Sequence, residues 1–243
     1  MNTLIDPTPR AHPSRRTQLP EEVAAYVREQ IMSGNLTPGQ FLRLEPIAEA
    51  VGVSITPVRE GLVALSNEGF VTAVPRRGFV VAPFTRQDVR DLFWAQSRLA
   101  GELAARAAKQ ITREELDLLG NVMEQCAVAT KRGDADEIGR LGHQFHRIIN
   151  VAARSDRLAR LLAGVVKHLP NQYYASLEAH VSTAPLEHQE IFDALSKRQA
   201  KRARTLTEAH IEGSADFVID SLEQRGLWRD NNQDQELPRE QVS

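Results

Sequence analysis

Hydrophobic residues recur at steps of three and four positions through most of the chain, and this spacing predicts helices. Two such runs lie close together within residues 44–65, where Gly52 separates them. Gly52 is suited to end the first helix in the left-handed conformation. Ser54 or Thr56 can cap the second helix, and Pro57 suits its first turn. The stretch therefore predicts a helix, a tight turn and a second helix.

The sequence on either side extends this helix pair into a larger unit. Residues 20–33 show helical spacing that ends before Gly34, and two β-prone runs, 70–74 and 79–81, follow the pair. The polar turn Pro75-Arg76-Arg77-Gly78 joins these runs, so a two-stranded hairpin is expected. Three helices followed by such a hairpin predict a winged helix-turn-helix over residues 19–81. In that fold the second helix of the pair enters the major groove of DNA.

The predicted DNA contacts come from two places in this unit. The start of the recognition helix offers hydroxyl, apolar and guanidinium groups to phosphates and base edges, and the wing tip offers two arginines. The candidates are Ser54, Ile55, Thr56, Pro57 and Arg59 in the helix, and Arg76, Arg77 and Gly78 in the wing.

After a linker at residues 82–87, the chain is predicted to be helical throughout. The expected helices span residues 86–110, 113–131, 134–153, 156–168, 171–181, 186–197 and 200–225. Thr112 and Glu115 have the spacing of a capping box at the start of the second of these helices. The fold class is therefore mainly α, with the N-terminal winged helix-turn-helix followed by an antiparallel all-helical bundle at residues 88–228. Residues 1–18 and 229–243 lack any apolar period and are expected to be a disordered arm and tail.

Composition and charge narrow the function classes only slightly. The 243 residues are 42% hydrophobic and 26% charged, which is typical of a soluble globular protein. Residues 1–81 contain eight arginines against eight acidic residues, so a DNA-binding surface must arise from how charges are placed. The single cysteine, Cys126, excludes an intrachain disulfide and a thiolate zinc cluster. With no apolar run near 18 residues and no apolar signal core, a cytoplasmic location is expected.

A long ordered series of residues runs through the first unit. It comprises Ile31, Gly34, Leu36, Pro38 and Gly39, then Ala48 and Val51-Gly52-Val53-Ser54, then Thr56-Pro57-Val58-Arg59-Glu60, Leu62, Leu65, Glu68-Gly69-Phe70-Val71 and Arg77-Gly78-Phe79-Val80. This series resembles the DNA-binding domain of GntR-family bacterial transcription regulators. The family usually has arginine where this chain has Ile55. Isoleucine cannot bond to guanine but can pack on a thymine methyl, so a different operator or a lower affinity is expected. Arg59 is the best candidate for a base or phosphate contact.

The helical part carries a second series of matching residues. It comprises Arg98, Glu102 and Ala104-Ala105, then Phe145-His146-Arg147, Glu187-His188, Ile191, Ala194-Leu195 and His210-Ile211. This series resembles the all-helical ligand-binding (FCD) domain of the FadR-type branch of the same family. The resemblance implies a divalent metal in the bundle core, held by an aspartate and three histidines.

Carried over to this sequence, the metal-binding histidines are His146, His188 and His210. The aspartate position is Gly142, which has no side chain, and His143 is an alternative fourth ligand because it shares a helix face with His146. Taken without the family, three neutral imidazoles from three helices suit zinc or nickel. The alternative is a set of hydrogen-bonded core histidines without a metal.

Arg98 is the candidate for binding an effector carboxylate through a bidentate pair. An ion pair with Glu102, four residues further along the same helix, is the alternative.

The sequence predicts a transcription regulator, not an enzyme, that binds a double-stranded operator as a homodimer. A small organic acid bound in the helical domain, with a zinc- or nickel-like divalent metal, would alter operator binding. The resemblance implies the dimer, the effector class and the metal. Two alternatives use the same histidines: a metal-dependent enzyme, with Glu187 or Glu190 as general base, and a direct metal sensor.

Overall fold

The computed structural model describes residues 15–169 and 184–228, and these form two compact units that divide between Phe84 and Thr85. Most of the expected N-terminal arm, the helix predicted at residues 171–181 and the expected C-terminal tail lie outside the described residues.

The first unit contains three helices and a small sheet. Its elements are α1 (Arg15–Met32), β1 (Phe41–Leu42), α2 (Leu44–Val51), α3 (Ile55–Asn67), β2 (Val71–Val74) and β3 (Gly78–Val81). The prediction that the first helix begins at Pro20 is wrong, because α1 begins at Arg15 and includes Pro20. The added first turn is polar, so apolar spacing could not reveal it.

The helix pair forms as the sequence predicts. Gly52 ends α2 in the left-handed conformation, with φ +75°, and the backbone N–H of Val53 donates to the Ala48 carbonyl at 3.0 Å. Ser54 occupies the N-cap position of α3, although its side chain makes no capping hydrogen bond. The apolar face of α3 is buried in the core of this unit with the apolar residues of α1.

The wing is a three-stranded sheet, so it contains the expected two-stranded hairpin and one further strand, β1. The strand order is β1-β3-β2, and both pairings are antiparallel, with Phe41 opposite Val80 and Val71 opposite Val81. A two-residue strand such as β1 is too short to show alternation and is defined by its pairing with β3. The pairing of β1 with β3 joins the segment before α2 to the wing.

The second unit consists of helices in its described residues. They are α4 (Arg86–Gln110), α5 (Arg113–Arg132), α6 (Ala135–Ala152), α7 (Asp156–Val166), α8 (Ala184–Ser196), α9 (Ala200–Gly213) and α10 (Ala215–Gln224). The helix α4 packs against α6, α7 and α9 around a shared apolar core. The capping box of Thr112 and Glu115 is confirmed, with both reciprocal hydrogen bonds present.

Two predicted boundaries in this unit are wrong. The single helix expected at residues 200–225 is divided into α9 and α10 at Ser214, whose hydroxyl donates to the His210 carbonyl at 3.0 Å. Such a hydroxyl competes with the backbone for helix carbonyls. The helix expected at residues 186–197 begins two residues earlier, so Pro185 lies in the first turn of α8, where a missing N–H costs nothing. No helix in the described ranges is long and apolar enough to cross a bilayer.

Candidate functional site

The first candidate site is the exposed start of α3. Ser54, Thr56 and Arg59 are exposed there, while Ile55 is half-buried and Pro57 is buried. Three predicted contact residues therefore present polar groups on one surface, and Pro57 helps to begin the helix from within the core. Their contacts with DNA stay predictions.

The wing tip presents the second group of predicted contacts. Arg76 and Arg77 are exposed in the turn between β2 and β3, and Gly78 is exposed at the start of β3; Arg76 has φ +61° and Gly78 has φ +102°. The Arg77 guanidinium lies 4.7 Å from the centroid of the Phe41 ring, within the range of a cation–π interaction. Strand β1, which carries Phe41, thus supports Arg77 at the wing tip.

Two features hold α3 in place and were missed by the sequence analysis. Arg28 of α1 is 5% exposed and donates to the Glu68 carboxylate, just after α3, at 2.6 Å. The two helices also approach closely at Gly61, where an added Cβ would lie 2.7 Å from the Pro20 carbonyl oxygen. The sequence shows the charges of Arg28 and Glu68 and the glycine at position 61. It does not show which residues they contact, because the contacting residues are distant in the chain.

The second candidate site lies in the helical unit, where the three predicted histidines converge. The Nε2 atom of His210 lies 3.2 Å from Nε2 of His188 and 3.3 Å from Nε2 of His146. His188 and His210 are buried and His146 is half-buried. The Phe145 ring stacks on His188 with centroids 4.3 Å apart. Residues from α6, α8 and α9 therefore meet at one point.

The donor set fits a divalent ion. Two imidazole nitrogens bound tetrahedrally to zinc at about 2.0–2.1 Å stand about 3.3 Å apart, close to the two observed separations. In addition, Glu187 Oε2 lies 2.7 Å from Nδ1 of His210. An ionised carboxylate can only accept, so it holds the His210 proton on Nδ1 and leaves the Nε2 lone pair facing the other histidines.

A purely hydrogen-bonded cluster satisfies this geometry less well. The single lone pair on His210 Nε2 faces two neighbouring nitrogens, and one hydrogen bond uses it completely. An ion between the rings would use a lone pair from each histidine. Among the described residues, the side chains close enough to share one ion are these three histidines. The structure does not bring His143 into that group, and Gly142 is buried on α6.

A cavity of about 400 Å³ opens beside the histidines. Its walls come from α4, α6, α7 and α9, and most of the lining is apolar. His146 and His210 contribute to the lining, together with the polar residues Gln96, His143, Arg147, Asn150, Thr207 and Ser214. A largely apolar cavity with a few polar groups is the usual form of a small-molecule site, and this volume lies in the usual range.

Arg98 forms ion pairs with a neighbouring helix, and its contact with an effector stays a prediction. Its guanidinium bonds to Glu208 at 2.6 Å and to Glu212 at 2.7 Å, both on α9, and it is not among the residues that line the cavity. The expected pair with Glu102 is wrong, because Glu102 pairs with Arg106 and Arg204. The hydrogen bond from Arg106 holds the pKa of Glu102 below its usual value, and the Arg204 charge adds to this effect. Arg98 thus joins α4 to α9.

A winged helix-turn-helix followed by a helical unit is the architecture of a class of protein, the DNA-binding transcription regulators. Comparison with known protein families supports this class. Residues 19–81 match the gntR family of bacterial regulatory proteins, and residues 91–213 match the FCD domain. The chain belongs to the GntR family of transcription regulators, with an FCD domain as its second part. It is a regulator of this kind and not an enzyme.

Individual relatives span most of the chain. An HTH-type transcriptional regulator of Bacillus subtilis (strain 168), YdhC, is 27% identical over 82% of this chain and 90% of that protein. The transcriptional repressor RspR of Escherichia coli (strain K12) is 23% identical over 86% of this chain and 92% of that protein. The solved structure of McbR/YncC from E. coli shares the fold, with a TM-score of 0.62 and 20% identity over 84% of this chain and 98% of that one.

Proposed function

We propose that this regulator binds a near-palindromic operator as a homodimer, with one recognition helix in each half-site. The exposed groups at the start of α3 and at the wing tip support this proposal. Each half-site would receive Arg59 in the major groove and Arg76 and Arg77 against the adjacent backbone or minor groove. Its place of action would be the cytoplasm, where the chromosome is. Repression of transcription is the expected outcome, by analogy with the relative named as a repressor.

The helical unit would bind a small organic acid together with a divalent metal. The observation that carries this proposal is the convergence of three imidazole nitrogens at the edge of a 400 Å³ cavity. His146, His188 and His210 would hold the ion, and Glu187 would orient His210. A zinc- or nickel-like ion bound there would supply positive charge and an open coordination position for a carboxylate oxygen.

The cavity offers a better cation for an effector carboxylate than Arg98. Arg147 lines the cavity and is exposed, so it stands at the edge where an acid would enter. Arg98 already faces two carboxylates, Glu208 and Glu212. An effector would have to displace both to use Arg98, whereas Arg147 has no ion pair with any described residue. We therefore assign the effector carboxylate to Arg147, and Arg98 keeps α4 and α9 together.

Two successive measurements on the same protein test metal binding and effector binding. Full-length protein is stripped with a chelator and then titrated with zinc, nickel and magnesium while the melting temperature is followed. Zinc or nickel should raise it and magnesium should not, because neutral imidazoles prefer borderline ions. A panel of small carboxylic acids is then added to the metal-loaded protein, and the affinity for an operator fragment is measured by fluorescence anisotropy. The metal site is ruled out if no ion changes the melting temperature of wild-type protein.

A direct metal sensor is the second candidate function, since the same three histidines would suffice for it. In that case zinc or nickel alone would change operator affinity, and no acid in the panel would change it further. A change that requires both metal and acid would favour the effector-responsive regulator. His210→Ala, which removes the central ligand, should abolish the response in either case.

A further inference from the structure

One hydroxyl in the cavity wall is without a hydrogen-bond partner in the part of the chain that the structure describes. Thr207 of α9 is 2% exposed, and its Oγ1 atom has no hydrogen-bond partner among the described residues. The residue lines the cavity and stands one helical turn before His210, on the same face of α9. Ile211 and Ser214 continue this face along the cavity.

The isolation of this hydroxyl is unusual for a helix. A threonine in a helix readily bonds to the carbonyl four residues earlier, and Thr205 on the same helix does so with Lys201 at 3.2 Å. Thr207 does not make that bond. A buried hydroxyl without a partner costs free energy that a valine of the same shape would avoid. Its presence is explained if the partner arrives with the contents of the cavity.

We propose that Thr207 is a specificity-determining residue, whose hydroxyl bonds to a hydroxyl or carbonyl group carried by the effector in addition to its carboxylate. This inference rests on the proposed organic-acid function of the same cavity. Arg147 at the exposed edge takes the carboxylate, and Thr207 in the buried wall contacts the second polar group. The effector class is therefore a hydroxy acid or an oxo acid.

The unpaired hydroxyl should make the cavity strongly prefer acids that carry the additional oxygen over acids that lack it. A hydroxyl both donates and accepts, so it pairs with either kind of oxygen on the ligand. An acid that lacks this oxygen would fill the cavity yet leave Thr207 buried and unpaired. Sites built to bond a ligand hydroxyl reject the analogue without it much more strongly than apolar pockets reject an added methylene.

Matched pairs of acids test this inference on full-length, zinc-loaded protein by titration calorimetry. The pairs are malate with succinate, lactate with propanoate, and pyruvate with propanoate. In at least one pair the oxygenated acid should bind roughly ten-fold more tightly to the wild type. Thr207→Val should reduce this preference to about two-fold or less, while its melting temperature without acid stays equal or rises, because the unpaired hydroxyl is removed.

Two control variants isolate the hydroxyl. Thr207→Ser keeps the hydroxyl and should keep the preference. Thr205→Val removes an exposed hydroxyl from the same helix and should also leave the preference unchanged. A preference retained by Thr207→Val, or equal binding within every pair by the wild type, overturns the role of Thr207 alone. Failure of every acid to bind the wild type would overturn the proposed effector class, and the role of Thr207 with it.

Discussion

At the residue scale, the recognition surface depends on a few side chains, because the unit that carries it has no excess of positive charge. Residues 1–81 contain as many acidic groups as arginines. Arg59 is exposed at the start of α3, where typical relatives are expected to have a further arginine in place of Ile55. Ile55 is half-buried, so it offers an apolar contact at most. We therefore predict that Arg59 supplies much of the direct readout from this helix.

Arg59→Ala should weaken operator binding roughly ten-fold or more, because a guanidinium contact to a base or phosphate is lost. The melting temperature should change little, since Arg59 is exposed. Fluorescence anisotropy on an operator fragment measures the first effect. Arg113→Ala, which removes an exposed arginine from α5 of the helical unit, is the matched control. Equal loss in both variants would mean that net charge, rather than the position of Arg59, determines affinity.

Glu187→Gln should weaken zinc binding by about ten-fold, because partners of ligating histidines typically contribute 10- to 100-fold to metal affinity. The substitution removes the charge that holds the proton on Nδ1 of His210. Competition with a coloured chelator measures the affinity. Glu190→Gln changes an exposed acid on the same helix and should leave it unaltered. An unchanged affinity in Glu187→Gln would argue that His210 is oriented by packing alone.

At the element scale, both units rely on pairs of helices held close together. In the first unit α1 and α3 touch at Gly61, where the nearest atoms are a backbone carbonyl and the Val23 side chain. In the second unit α4 and α9 touch at Gly101, where the nearest atoms belong to the flexible Glu208 side chain. Backbone cannot move aside as a glutamate can, so the contact at Gly61 is the less tolerant one.

Gly61→Ala should destabilise the DNA-binding unit by about 1–3 kcal/mol, the usual cost of overpacking. The added Cβ would lie 2.7 Å from the Pro20 carbonyl oxygen, which forces α1 away from α3. Thermal unfolding of the full chain measures the loss. In Gly120→Ala of α5 the new Cβ has no atom within 4 Å, so that variant should be neutral or more stable by up to about 1 kcal/mol. Similar stability of the two variants would contradict the close approach.

At the scale of the whole molecule, the proposed metal site would join three helices that are far apart in sequence. His146 lies on α6, His188 on α8 and His210 on α9. An ion held by all three would stabilise the folded helical unit, because the unfolded chain lacks the assembled site. The winged unit has its own core and contributes no histidine to this cluster.

Chelation of the metal should therefore affect the two units unequally. Backbone amides in α6, α8 and α9 should exchange with solvent faster after chelation, while those in α1 and α3 should be unchanged. Hydrogen exchange followed by mass spectrometry on the full chain measures both. Protein that was never exposed to metal, treated with the same chelator, is the control. Faster exchange in α1 and α3 as well would show that the ion stabilises the whole molecule rather than one unit.

The local elements were largely predictable, because each depends on neighbours within a few residues. The helix pair around Gly52, the capping box at Thr112 and most helix boundaries followed from apolar spacing and from glycine and proline. The convergence of the three histidines was expected from the family resemblance, not from spacing. Strand β1 and the division at Ser214 were missed, since both depend on specific hydrogen bonds that leave apolar spacing unchanged.

The sequence by itself determined the two-part organisation and the helical and winged elements, since these follow from periodicity and side-chain chemistry; it also predicts which residues contact DNA. Tertiary structure alone decided which distant groups meet. It paired Arg98 with α9 instead of Glu102 and placed Glu187 against His210. Within residues 15–169 and 184–228, it left the Thr207 hydroxyl unpaired in a cavity wall. The two kinds of contact join residues 23 to 114 positions apart, and helix packing rather than local preference brings such groups together.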